Sequence, residues 1–402
     1  MNFRSLSRRQ FLATSAAASA TFALPRLSFA QTPAASGEVS VTDVAGRTVT
    51  LSHPAERVIV TSRSGLYTLA VLERENPFQR LVAWNDDLRT TDKDTYNQYL
   101  AKFPEAADLP LVGNVGADDF NAELILDLEP DLIVIDLGSY QNAVEYGTID
   151  ILEAAGIAVA IVDFREHMLE NTIPSVQTLG RLIGKMDVAL AYSDFYLAET
   201  NKVYERVAAI DPEAPVPSMF IQRAPGVAAT GLSFGAGNFG EFITRAGGIN
   251  WAEQFISTVH GTVNPEQILV GDFDELLLTG ANWSGDDPTS TTSSNGTFIS
   301  MGYESTLDDI LARTEIVIEE ANWQDLPAVQ SGHVHDIWHQ FYISPYSFVA
   351  FQYIAKCLHP DLFADVDPSA TFQSLHEQFL PIDYTGVFFA DLAGESSATP
   401  AS

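Results

Sequence analysis

Short apolar runs alternate with stretches of helical period along most of this chain. Val39 to Leu51 alternates apolar and polar positions as a strand pair, turning at Ala45, Gly46 and Arg47. Arg57 to Thr61 predicts a short buried strand, and Leu66 to Glu73 the helix that follows it. Leu81 to Trp84 predicts a second strand, ended by Asn85, Asp86 and Asp87. Leu132 to Ile135 and Ala158 to Val162 are further strands, with a helix over Asp150 to Ala155 between them. Short apolar strands separated by helices point to a parallel α/β sheet.

From about Thr172 to Ile210 the period changes. No proline intervenes between Pro174 and Pro212, and apolar residues recur at Leu179, Leu182, Ile183, Met186, Leu190, Phe195, Leu197, Val203 and Val207. This predicts helix with a break near Gly184, its last stretch long enough to serve as a stiff strut. A second α/β unit opens with Ser218 to Gln222 and carries an apolar run at Leu276 to Leu278. Trp283 to Gly302 is rich in Ser, Thr, Gly and Asp and predicts a loop. His333 to Trp338 predicts the last strand and Phe348 to Leu358 an apolar helix. The tail after Leu392 predicts disorder.

One phrase occurs twice. Asn121, Glu123, Ile125, Leu126 and Asp131 precede the apolar run Leu132 to Ile135. Asn264, Glu266, Ile268, Leu269 and Asp274 repeat that spacing before Leu276 to Leu278. A repeat at such a distance is too long for a solenoid unit. It predicts two lobes of similar plan, each with a short helix feeding a core strand, and a cleft between them where a ligand would sit. Asn121 and Asn264 read as helix N-caps, which puts Glu123 and Glu266 in first helical turns, where an acid favours the helix dipole.

The charge balance narrows the function. The 402 residues hold 53 Asp+Glu against 21 Lys+Arg, a formal net charge of −32. Such a surface repels phosphate backbones and anionic lipid, which argues against nucleic-acid binding. The start of the chain is different. Ser7, Arg8, Arg9, Gln10, Phe11 and Leu12 form a twin-arginine export pattern, followed by a mildly apolar stretch from Ala13 to Leu24 and small residues at Ser28 to Ala30. Signal removal near Ala30 and a periplasmic destination are expected. No later stretch reaches the length of a membrane span. The single cysteine, Cys357, excludes an internal disulfide and lies far from the signal.

Several motifs carry a resemblance. Asp43, Gly46, Arg47 and Val49 followed by Pro54, Arg57 and Val58 resemble the opening of class III periplasmic binding proteins, which serve ATP-driven importers of ferric siderophores, haem and cobalamin. Glu129 to Val134, Ala246 to Asn250, Trp323 to Val329 and Ala355 to Phe363 are similar to the same family, in the expected order over nearly the whole chain after the signal. The resemblance implies two Rossmann-like lobes joined by one long α-helix, with the ligand cleft between the lobes. The organisation expected is a signal over 1–30, a linker over 31–42, a first lobe over 43–170, the connecting helix over 171–211, a second lobe over 212–391 and a tail over 392–402. It also implies that Glu123 and Glu266 dock onto arginines of an inner-membrane ABC permease with its ATPase.

Ligands of parallel α/β sheets meet the loops at strand carboxyl ends. Those ends nominate Arg63 and Tyr67, then Trp84, then Arg165 in lobe one; Arg223, Trp283, Trp338, His339 and Tyr342 follow in lobe two. Guanidinium groups pair with carboxylate, catecholate or phosphate oxygens and stack on aromatic rings. Such a lining suits an anionic, partly aromatic ligand such as a ferric siderophore. His333, His335 and His339 form the one histidine cluster, but no further ligand lies near in sequence, so no metal site of the protein's own is expected. Iron would arrive inside the chelate, and no intrinsic cofactor is expected. In haem-binding relatives Tyr or His ligates the iron, which keeps haem open through Tyr342, Tyr67 and His339, with cobalamin a further alternative. No nucleophile elbow, zinc-protease helix or phosphate-binding loop is present, so no catalytic residue is assigned. The expectation is a monomeric, non-enzymatic solute-binding protein, with a ligand sensor that does not transport as the competing class.

Overall fold

The structure is a computed structural model that describes residues 37–115, 117, 120–283 and 298–392. The twin-arginine segment, most of the polar loop after Trp283 and the tail beyond Leu392 lie outside the described residues.

Two parallel sheets organise the chain. A hairpin of β1 (Val39–Thr42) and β2 (Thr48–Leu51) leads into β3 (Val58–Val60), β4 (Leu81–Trp84), β5 (Leu132–Asp136) and β6 (Ala158–Val162). These four strands form one parallel sheet in the order β4-β3-β5-β6. In the second half come β7 (Ser218–Gln222), β8 (Leu232–Phe234), β9 (Ile249–Asn250), β10 (His260–Thr262), β11 (Glu275–Gly280), β12 (Val334–Trp338) and β13 (Phe389–Asp391). The main sheet there runs β13-β12-β11-β7-β9, parallel except for β13, while β8 and β10 pair apart as a two-stranded ribbon. In each sheet the first strand lies between the second and the third, and the fourth lies beyond the third. The two lobes share one topology.

The repeated phrase does the same work in both lobes. Helices Ala122–Leu128 and Pro265–Ile268 are capped by Asn121 and Asn264, whose side-chain oxygens accept from the Leu124 and Glu266 backbone N–H groups at 3.0 Å each. Ile125 and Ile268 are fully buried, anchoring each helix to its lobe. Asp131 accepts from the Glu56 and Arg57 N–H groups at 2.8 and 2.9 Å, and Asp274 accepts from the Ser218 N–H and hydroxyl at 2.8 and 2.7 Å. Each aspartate therefore ties the start of its lobe's first strand to the third.

Strand period explains the layering. Within β5, Leu132 and Val134 face one core while Ile133 and Ile135 face another, and Val159 and Ile161 alternate with Ala160 and Val162 in the same way. A sheet buried on both faces needs such continuous apolar runs. The larger core extends from lobe one into lobe two without interruption.

The helical region is two helices, Met168–Leu182 and Met186–Ala208, the second 23 residues long. The first begins four residues before the helical region read from sequence and carries Pro174 in its second turn, so the expected boundary at 171 falls inside a helix. The turn between them is closed by a Lys185 N–H to Gly180 carbonyl bond at 2.6 Å, with Gly184 at φ +72°, the left-handed conformation glycine adopts without cost. Helix Met186–Ala208 packs on Arg63–Leu72 in lobe one and on Phe348–Leu358 in lobe two. The strands β8, β9, β10 and β13, of two or three residues each, are too short for a period to betray them. Helix Pro368–Phe379 did leave a signal, an Asp367 cap before a proline, that apolar period alone misses.

Candidate functional site

Three arginines from three strand ends converge on one tyrosine. Arg63 opens the helix after β3, Arg165 follows β6, Arg223 follows β7, and Tyr342 sits in the turn after β12. The guanidinium carbons lie 5.7, 5.4 and 5.6 Å from the centre of the Tyr342 ring. Since β3 and β6 belong to one lobe and β7 and β12 to the other, the cluster bridges the lobes at strand carboxyl ends.

The three arginines differ in what else they hold. Arg63 is 6% exposed and fully engaged: it donates to Asp87 at 2.9 Å, to Gln340 at 3.0 Å and to the Tyr342 hydroxyl at 2.8 Å. Burial works against its charge, but Tyr342 and Asp87 outweigh that and raise its pKa. Arg165 is the open member, its side chain 32% exposed and its nearest acid, Glu166, 4.0 Å away. Arg223 is 8% exposed, lies 4.7 Å above the Phe234 ring, and makes no ion pair among the described residues; its Nε is buried without a partner. Burial pulls its pKa down to about 10, Tyr342 offsetting part of that and Arg165 adding to it, so it stays charged at neutral pH. A buried, unpaired guanidinium costs several kcal/mol unless an anion completes it.

The surrounding groups are tuned by the same charges. Burial alone would raise the Tyr342 phenol, yet the three guanidinium groups overcome it and hold its pKa below the usual value. The His339 ring lies 4.3 Å from that of Tyr342 and 5.5 Å from Trp283. Burial, followed by Arg223, Arg63 and Arg165, pushes the His339 pKa well below its ordinary value, so the ring is neutral. Its Nδ1 shares a 2.7 Å hydrogen bond with the Thr279 hydroxyl, which also accepts from the Ala224 N–H.

Beside this cluster the lobes part into a cleft of about 670 Å³, lined by Glu166 and His167 from one side and by Ala236, Gly237, Ser257, Val259 and His260 from the other. Gly237 suits the close approach of the two sides, since a Cβ there would lie 3.0 Å from the Glu166 carbonyl oxygen. His260 connects the cleft to the arginines: burial, then Arg223 and Arg165, lowers its pKa.

Not every residue nominated from sequence gathers here. Arg63, Arg165, Arg223, Trp283, His339 and Tyr342 do. Trp84 is 4% exposed and packs on Phe78 and Tyr96 inside lobe one. Trp338 is fully buried among Tyr303, Phe341 and Phe388, and Tyr67 points inward, donating to Asp92 and packing on Tyr346. In all three the ring's large apolar area is spent on core packing. Strand-end reasoning missed Asp87, Gln340 and Phe234, because their roles come from partners in distant segments. Glu123 and Glu266 are exposed in the first turns of their helices. No helix among the described residues is long and apolar enough to cross a membrane.

Fold and cleft define a class, the two-lobed α/β binding proteins that hold a small molecule between lobes. The periplasmic binding protein family matches residues 71–340, and this chain belongs to that family. The family consists of non-enzymatic transport components that deliver small molecules to ABC permeases, and membership in it suggests the periplasm. Among solved structures, the chain is similar to the TroA-like periplasmic binding protein FepB from Veillonella parvula, at 29% identity and a TM-score of 0.79, covering 88% of this chain and 99% of that one. It shares its fold with the molybdate-bound binding protein MolA of Haemophilus influenzae, at 16% identity and a TM-score of 0.63, over 86% of this chain and 99% of that one. A periplasmic heme-binding protein from Pseudomonas aeruginosa has the same fold at 16% identity and a TM-score of 0.51, over 76% and 94%. No curated protein sequence matches the chain.

Proposed function

We propose that this periplasmic binding protein captures one anionic metal chelate of the ferric-siderophore type and hands it, as a monomer, to an inner-membrane ABC permease. The observation that carries the reading is Arg223, a buried guanidinium without an acid, aimed with Arg63 and Arg165 at one aromatic ring in a chain of net charge −32. Three fixed positive charges beside aromatic faces match catecholate or carboxylate oxygens around a ferric centre. Iron enters within the ligand, so no resident cofactor is required. Among the relatives, molybdate-bound MolA shows that this fold takes a small oxyanion, while the heme-binding protein keeps haem as the second reading. That reading draws on the neutral His339 and the adjacent Tyr342, two donors suited to an iron ion.

Titration of the purified protein with a ferric catecholate chelate, followed by quenching of tryptophan fluorescence, tests the proposal. Arg223→Gln should weaken binding by roughly 30-fold or more, since losing one partner of a buried charge pair costs about 2 kcal/mol or more. The variant should melt no lower than the parent, because the charge it removes is buried without an acid in the unliganded fold. Unaltered affinity in Arg223→Gln, or a Soret band on the protein isolated from its host, would overturn the siderophore reading.

A further inference from the structure

His335 and His339 part company in the fold. His339 joins the arginines at the carboxyl end of β12, whereas His335, the second residue of that strand, stands near the opposite end of the sheet. There it meets residues remote in sequence. Asp391 lies directly across the antiparallel β12–β13 pair from His335, and its Oδ1 is 2.5 Å from the His335 Nδ1. Tyr353 and Cys357, one turn apart on helix Phe348–Leu358, face the same spot, and the Tyr353 hydroxyl donates to Asp391 at 2.8 Å. One donor atom each from His335, Cys357 and Asp391 lies within 4.8 Å of the others. On the far side of the imidazole, the Glu275 Oε2 sits 2.9 Å from Nε2.

We infer that His335, Cys357 and Asp391 form a binding site for a borderline-soft divalent cation such as Zn²⁺, at the end of the lobe-two sheet away from the ligand cleft. A thiolate, an imidazole nitrogen and a carboxylate oxygen are the donor types such a cation selects. Bond lengths of about 2.0–2.3 Å in a tetrahedral site space the donors roughly 3.3–3.8 Å apart. Reaching that spacing takes a small shift of Asp391, at the end of a short edge strand with its side chain 42% exposed. The same exposure leaves the fourth coordination position to water. Glu275 supplies what metal-bound histidines ordinarily have, a carboxylate accepting the second ring N–H and fixing which nitrogen faces the ion. Cation binding displaces the thiol proton, and any proton on the His335 Nδ1, to solvent. Bound there, the ion would fasten β13 and helix Phe348–Leu358 to β12, independently of which ligand the cleft accepts.

The single cysteine makes the test specific, because any thiolate-to-metal charge-transfer band must come from Cys357. Titrating the purified protein with Co²⁺ should produce that band in the near ultraviolet, together with the visible bands of a tetrahedral cobalt centre. Cys357→Ser should abolish the charge-transfer band, and His335→Gln should abolish saturable binding. Glu275→Gln should keep the band while weakening affinity on the order of 10–100-fold. Zn²⁺ should raise the melting temperature of the unmodified protein and leave that of Cys357→Ser unchanged. Absence of a thiolate band in the unmodified protein, or full Co²⁺ binding in the folded His335→Gln variant, would overturn the site and leave His335 as an imidazolium held between Glu275 and Asp391.

Discussion

Asp92 shows how a single buried group sets the chemistry of the lobe interface. It receives a hydrogen bond from Tyr67, keeps one carboxylate oxygen without a partner, and is fully buried. Burial raises its pKa to about 6, the nearby Thr95 hydroxyl and the hydrogen bond from Tyr67 offsetting part of the rise. An unfolded aspartate titrates near 3.9. Between about pH 4 and pH 6 the folded protein therefore holds a proton that the unfolded chain has released. The stability this proton contributes is complete below about pH 4 and lost as pH rises through 6, on the order of 2–3 kcal/mol. Asp92→Asn should remove that pH dependence and be the more stable protein at pH 7. Urea midpoints of both proteins at pH 4.5 and pH 7 measure it; equal differences at the two values would contradict the assignment. The arginines were readable in the sequence because strand ends in a parallel sheet announce themselves and cations are scarce here. The inward turn of Trp84 and Trp338 was not readable, since each ring's neighbours come from other segments. The same holds for Cys357, which reaches His335 only through the folding of a helix onto a strand.

At the level of elements, the turn between helices Met168–Leu182 and Met186–Ala208 decides how closely they pack. Gly180 faces Ala189, and a Cβ at Gly180 would lie 2.6 Å from the Ala189 Cβ and 3.3 Å from the Lys185 carbonyl oxygen. Alanine at an interior helical position gains about 1 kcal/mol over glycine in propensity. Overpacking of a rigid contact costs typically 1–3 kcal/mol, and neither obstructing atom belongs to a flexible side chain. Gly180→Ala should therefore lower the melting temperature, while Gly180→Ala combined with Ala189→Gly should recover most of the loss. A single variant more stable than the parent would show that the helices separate freely. The break itself was legible, because Gly184 interrupts an otherwise continuous helical period. The start of the first helix was not, because a proline in a second turn looks like a boundary in sequence and is tolerated in the fold.

For the whole molecule, the twofold phrase foretold the shared topology of the lobes, since a capped helix, a buried isoleucine and a tethering aspartate are each local chemistry. The identity of the ligand stayed outside it, because the copies diverge at the strand ends that reach the cleft: Asp136 accepts from Ser64, whereas Thr279 engages His339. The exposed glutamates of the two copies, Glu123 and Glu266, are the proposed contacts to the permease. Reversing both to lysine should abolish uptake of the chelate in cells while the purified protein binds it with unchanged affinity. Normal uptake by the double variant would remove the docking role. The lobes themselves are also tied to each other by hydrogen bonds. Asn282 donates to Asp94 at 2.5 Å, the Glu304 N–H to the same carboxylate at 3.0 Å, and Gln340 to the Thr91 carbonyl at 2.5 Å.

The apolar interior that passes from one lobe into the other has a consequence for how the protein is lost as well as how it works. Helix Met186–Ala208 contributes Tyr192, Tyr196 and Val203 to that interior and is covered from both sides. Opening of either lobe uncovers the face of this shared interior that it had covered, while the second apolar cluster stays within lobe one. Unfolding of one half should therefore cost the other part of its burial, which couples the stability of the two copies of the plan through the interior they share.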